Sequence, residues 1–152
     1  MAASAHKKGR WLMKRKFYGF TLIEIVVVIA IIGVIVAIAT PQVLRLVQNV
    51  QKRADSSTAR HIAYAFLMWQ EESGKSLDEI IPDSNLHKID SDQIGGPSGF
   101  KLSKYITGSL PRPRLNKSYY FYYKYESSVL KIYAGDDSNQ WELFPEFDQN
   151  YK

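Results

Sequence analysis

There is no cysteine anywhere in the 152 residues. That removes disulfide bridges, thiolate metal sites and a cysteine nucleophile together, so packing and hydrogen bonds must hold any part of the chain that lies outside a membrane. Catalytic signatures are also missing. No G-x-S-x-G, H-E-x-x-H, P-loop or dinucleotide fingerprint is present, so the chain is not read as an enzyme and no cofactor is expected. The histidines His6, His61 and His87 lack metal-ligand spacing, and His61 is read as a packed or surface residue of a helix. Acids are absent from residues 1–19, which carry Lys7, Lys8, Arg10, Lys14, Arg15 and Lys16. Of the 20 Lys and Arg, six therefore sit in this head, leaving 14 against 15 Asp and Glu in residues 20–152. The formal charge of +5 belongs to the head and does not imply a folded basic binding face.

Polar side chains are missing from Ile25 to Ala39, and Phe20 to Ala39 is a 20-residue apolar run whose single acid is Glu24. At ~1.5 Å per residue such a helix spans roughly 30 Å, the hydrocarbon thickness of a bilayer. The basic head before it would stay on the cytoplasmic side. The apolar run exceeds the usual signal-peptide length and no small-x-small cleavage site followed by a polar segment ends it, so it is expected to remain as an anchor. A carboxylate at the helix centre costs on the order of 2.5–3.5 kcal/mol, so Glu24 requires a reason.

Beyond Ala39 the pattern becomes one-sided. Val43, Val47, Val50, Ala54, Thr58, Ile62, Ala65 or Phe66, and Trp69 recur every three to four residues, with Arg45, Gln48, Gln51, Lys52, Asp55, Arg60 and Glu71 facing elsewhere. This predicts a helix over 20–73, interrupted only by Pro41 and stopped at Gly74. Residues 75–116 read as a loop region. It holds a helical turn over Ser76–Ile81 that Pro82 stops, a loop at Gly95–Gly99, a short helix over Leu102–Ile106 and a turning segment Pro111–Pro113. Asp78 and Glu79 are read as first-turn acids.

Strands are predicted at Ser118–Tyr125, Val129–Tyr133 and Gln140–Phe144, with turns at Glu126–Ser128 and Gly135–Asn139. Asp136–Asn139 lacks calcium-loop spacing and is read as a polar turn. The fold class is α+β: a long N-terminal helix, half apolar and half amphipathic, packed against an antiparallel sheet of three or four strands. Arg112, Arg114, Lys117 and Lys124 interleave with tyrosines, a pattern that could take single-stranded DNA or an acidic glycan, although strand alternation turns half of those rings inward.

The stretch from Lys14 to Ala54 resembles a type IV prepilin: a basic leader ending in Gly19, then Phe20-Thr21-Leu22-Ile23-Glu24, then an apolar helix with Gly33 and Pro41. The resemblance implies cleavage between Gly19 and Phe20 and N-methylation of Phe20. It further implies assembly through pairing of Glu24 with the Phe20 amine of another copy, and Gly33 and Pro41 as weak points at which the helix unwinds in a fibre. Tyr18 departs from the pattern, since a lysine often precedes the glycine. The leader is long, and a start at Met13 would give the commoner length, MKRKFYG.

The resemblance divides the chain into leader 1–19, filament-core helix 20–40, amphipathic half 41–74 and globular region 75–152. It implies a single-pass inner-membrane precursor that becomes an extracellular helical homo-oligomer serving adhesion, motility or DNA uptake. The implied partners are a prepilin peptidase/methyltransferase and the pilus assembly machinery. A pseudopilin of a secretion or competence system shares the leader features, and a membrane-tethered binding protein that never polymerises is the alternative from another class. The lack of cysteine departs from family members whose C-terminal region is closed by a disulfide.

Overall fold

The computed structural model describes residues 19–81, 83–94 and 100–152. The leader before Gly19, the stop at Pro82 and the Gly95–Gly99 loop lie outside the described residues. Two compact units are present, one ending at Pro41 and one spanning Gln42–Lys152. Helix α1, Leu22–Ser73, runs through both with Pro41 inside it. Its N-terminal stretch is long and apolar enough to cross a membrane and none of it is buried.

The second unit supplies the core. After α1, the chain makes a single turn α2, Leu77–Ile80, then the short strands β1 (His87–Lys88), β2 (Gln93–Ile94) and β3 (Phe100–Lys101), and a 3-10 turn at Leu102–Lys104. Three longer strands follow, β4 (Tyr120–Glu126), β5 (Val129–Gly135) and β6 (Gln140–Phe144). The main sheet is antiparallel in the order β1-β4-β5-β6, while β2 and β3 form a separate pair. Alternation decides which face meets the helix. Phe121 and Tyr123 of β4, Leu130, Ile132 and Ala134 of β5 and Leu143 of β6 join Ala59, Ile62, Ala63, Phe66 and Trp69 of α1 in one core. Cross-strand partners on the same face, such as Phe121 beside Ala134 and Tyr123 beside Ile132, keep that face apolar.

Local chemistry explains the boundaries. Gly74, at φ +65°, donates its N–H to the Gln70 carbonyl, closing α1 with the left-handed residue that favours glycine. Strand β4 starts at Tyr120 and not at Ser118, because the Asn116 side chain captures the Ser118 N–H and hydroxyl and holds a turn there. The β4–β5 hairpin turns on Ser127 and Ser128, both at positive φ (53° and 63°) without the glycine or asparagine such turns favour. Gly135 is obligatory for a steric reason: a Cβ there would lie 1.9 Å from the Asn139 carbonyl oxygen of the following turn. The predicted helix over Leu102–Ile106 shrinks to the 3-10 turn, with the Tyr105 and Ile106 N–H groups both converging on the Leu102 carbonyl.

The amphipathic stripe needs two corrections. Its predicted start, Val43, Val47 and Val50, is exposed, because the sheet and loops cover α1 only from Asp55 onward. Asp55, expected to face away from the stripe, is fully buried.

Candidate functional site

Gly19, Phe20 and Thr21 precede the helix in non-helical backbone, and α1 begins at Leu22. The boundary is made by a reciprocal cap. The Thr21 N–H and hydroxyl both donate to the Glu24 carboxylate, at 2.7 and 2.8 Å, while the Glu24 N–H donates to the Thr21 hydroxyl at 3.3 Å. This is a T-x-x-E capping box, which satisfies N–H groups that no helical carbonyl can reach. It also places an anion in the first turn, where the helix dipole favours it. Glu24 thus has a partner inside its own chain. The sequence reading missed this, although the four-residue signature was there to find.

Phe20 is exposed beside that cap. It forms an open apolar hollow with Ile23, Val27 and Val28, with Glu24 at its edge. Gly33 is helical, with open space where a Cβ would stand, and at the level of Pro41 the Thr40 hydroxyl donates back to the Val36 carbonyl at 2.7 Å. Such a back-bond competes with the helical ladder, adding to what the proline removes.

In the second unit the organising group is Asp55. Its carboxylate accepts the Arg114 N–H at 2.6 Å, the Leu115 N–H at 3.0 Å and the Tyr151 hydroxyl at 2.8 Å. Three donors on a buried carboxylate compensate what desolvation costs it. The result ties α1 to the loop before β4 and to the C-terminal tail. Tyr151 is fully buried, packed with Trp141, Tyr119 and Phe147, and burial first, the Asp55 carboxylate second, push its hydroxyl pKa up. The tail is pinned again where the Asp148 N–H meets the Glu142 carbonyl and the Tyr119 hydroxyl meets the Lys152 carbonyl. Here these bonds do what a terminal disulfide does in many proteins.

The four cations singled out from the sequence have different surroundings. Arg112 is exposed and lays its guanidinium over the Tyr120 ring, 3.7 Å from the centroid, with the Lys88 ammonium 4.0 Å from the same centroid. Lys124 pairs with Glu126 at 3.1 Å. Arg114 contributes its backbone to Asp55 while its side chain stays exposed, as does that of Lys117. Pro113, between the two arginines, is buried, so Arg112 and Arg114 project from the outer side of an extended segment.

The polar turn is built by its own side chains. Asp136 accepts the Ser138 and Asn139 N–H groups, and Asp137 accepts from the Lys88 ammonium and the Tyr122 hydroxyl, both at 2.9 Å. The Lys88 ammonium, then the Tyr122 hydroxyl, hold the Asp137 carboxyl below its ordinary range. Burial is the main cause pushing Tyr122 up. At the far end of α1, Glu72 accepts from Lys104 and, at 2.6 Å, from the Tyr105 hydroxyl, which lowers its carboxyl in the same way. Among the described residues no group of three or more His, Cys, Asp or Glu could hold a metal ion.

Residues 14–40 match the model of the prokaryotic N-terminal methylation motif. No curated protein and no solved structure matches the chain.

Proposed function

We propose that this chain, which its N-terminal methylation motif identifies as type IV prepilin-like, is a pilin subunit that polymerises into an extracellular helical filament. The carrying observation is the segment Gly19 to Glu24. A non-helical Gly19–Phe20 peptide, open to a peptidase, stands directly before a capped helix whose apolar stretch holds one acid, in its first turn. Cleavage there frees an amine at Phe20 for methylation by the same peptidase/methyltransferase. In the membrane the Thr21 cap keeps the Glu24 charge occupied. In the filament Glu24 exchanges that cap for the Phe20 amine of a neighbouring copy, a pair worth roughly 4 kcal/mol of Coulomb attraction at ~4 Å and an effective dielectric near 20, before desolvation. The apolar stretch of α1 then moves from lipid into a bundle of like helices, and Gly33 and Pro41 are where it gives way.

In this reading the leader is 1–19, residues 20–40 form the core helix, and 41–152 carry the surface that the assembly machinery and the outside world meet. Adhesion, motility and DNA uptake are all compatible with that surface, and Arg112 and Arg114 are among its exposed cations. The test is to shear surface filaments from cells and sequence the subunit. Methyl-phenylalanine at Phe20 in fibres is expected, and Glu24→Val should leave cleavage intact while reducing fibres at least tenfold. Fibres with an intact leader would sink the reading, and a correctly cut subunit found only in an envelope-confined stub would assign it to the pseudopilins.

A further inference from the structure

One face of α1 in the second unit is exposed along its whole length. Arg53, Ser57, Arg60, Tyr64, Leu67 and Glu71 are spaced alternately four and three residues apart, and all six are exposed. That is the spacing of a helix–helix seam. It runs beside the buried face formed by Asp55, Ala59, Ile62, Phe66 and Trp69. Its composition is graded: two arginines at the start, an apolar middle where Tyr64, Leu67 and the adjacent Met68 are exposed, and an acid at the end. Among the described residues neither arginine has an acidic partner and Glu71 has no basic one, whereas Glu72 next to it is engaged by Lys104. Two hollows border the seam. One of about 420 Å³ is lined by Arg53, Ser56, Ser57, Arg60 and Phe147, and one of about 400 Å³ includes Tyr64, Leu67 and Met68.

We propose that this seam docks on a second copy of the same chain, with Arg53 and Arg60 of one copy meeting Glu71 of the next. The charge sequence argues for that occupant. Arg53 and Glu71 are about five helical turns apart, so they share an azimuth and stand about 27 Å apart along the axis. Arg60 and Glu71 are about three turns and about 16 Å apart on the same face, so two parallel copies displaced by about 22 Å place Glu71 of one between the levels of Arg53 and Arg60 of the other. The same displacement repeated leaves one end of each seam open for the next copy, which makes the contact head-to-tail and non-closing. In antiparallel copies each seam would meet the other only once and stop there. The inference rests on the filament reading and deepens it: this contact sets the axial stagger outside the apolar core.

The absence of native cysteine makes the test clean. A chain carrying Arg53→Cys together with Glu71→Cys, oxidised in membranes and in sheared fibres, should give a ladder of disulfide-linked multimers, and each single variant should give none beyond dimer. Arg53→Glu with Arg60→Glu should cut fibre yield at least tenfold, Glu71→Arg should cut it as well, and the three changes combined should recover most of it. Resistance of the globular unit to protease serves as the folding control for these exposed sites. Fibres without a ladder, or no recovery in the combined variant, overturn the contact. A ladder in membranes without fibres from the unmodified chain retains the contact and removes the filament. Loss of binding to phosphatidylglycerol vesicles on arginine reversal, with no ladder, assigns the arginines to anionic headgroups and overturns it too.

Discussion

Within the single helix α1, no residue from Leu22 to Ala54 is buried, whereas eight are buried between Asp55 and Trp69. Both stretches are rich in apolar side chains, so composition does not separate them. The difference is what each was given to pack against. From Asp55 onward the helix meets the faces of β4, β5 and β6 and a carboxylate with three donors. Before it, Ile, Val and Leu stand open in every direction, which is the pattern of a helix whose solvent is lipid or other helices. One stretch is a finished fold and the other is left uncovered.

The largest expected effect tests that contrast directly. Phe66→Ala should destabilise the globular unit by about 3–5 kcal/mol, because it opens a cavity among fully buried neighbours. Ile32→Ala, equally apolar but half-exposed, should cost under about 0.5 kcal/mol in the detergent-solubilised chain. Denaturant unfolding followed by tryptophan fluorescence measures both, and comparable losses would break the comparison.

Next in size, Tyr151→Phe should cost about 1.5–3 kcal/mol near neutral pH, since Asp55 loses a hydrogen bond made to its charge. The same variant has a pH signature. Burial raises the Tyr151, Tyr122 and Tyr123 hydroxyls above the ordinary value of 10.0. Above that pH the unfolded chain has released protons that the folded chain retains, so stability is fully present below pH ~10 and falls as pH rises beyond it. Thermal melts of Tyr151→Phe should show a shallower alkaline fall than the parent, and an unchanged slope would remove Tyr151 from that account. On the acid side, Asp137 is held low by Lys88 and Tyr122, and Asp92 by Ser103. Their contribution is present above their ordinary value of 3.8 and is lost as pH falls through the lower folded values.

The smallest effect is a gain. Replacing the positive-φ pair by Ser127→Asn with Ser128→Gly should stabilise the hairpin by about 0.5–1 kcal/mol, read as a higher melting temperature.

Periodicity made the helix, its stop at Gly74 and the three long strands legible in the sequence, because each rests on local chemistry repeated over several residues. Strand β1, two residues paired to Tyr122 and Tyr123, carries no such repeat and was invisible. Asp55 was misplaced for a related reason: hydropathy assigns a carboxylate to solvent, and only donors 59, 60 and 96 residues downstream make its burial affordable. At the candidate site the motif over residues 14–40 was readable. The Thr21–Glu24 cap was readable too, but a reading that looked for an outside partner for the acid passed over the one inside. Within the Arg112–Lys124 group the partners differ in a way spacing does not reveal, Arg112 lying over the Tyr120 ring and Lys124 pairing with Glu126.

The long loops that Asp55 closes also bear on folding kinetics. A helix segment forms on local contacts in about a microsecond, whereas contacts across 59 to 96 residues must wait for slow loop closure. Until Tyr151 arrives, an intermediate that has already covered α1 holds an under-compensated charge in its core. Partly built states of the globular unit are therefore poor resting points. Its folding should be all-or-none, with tail docking late on the pathway.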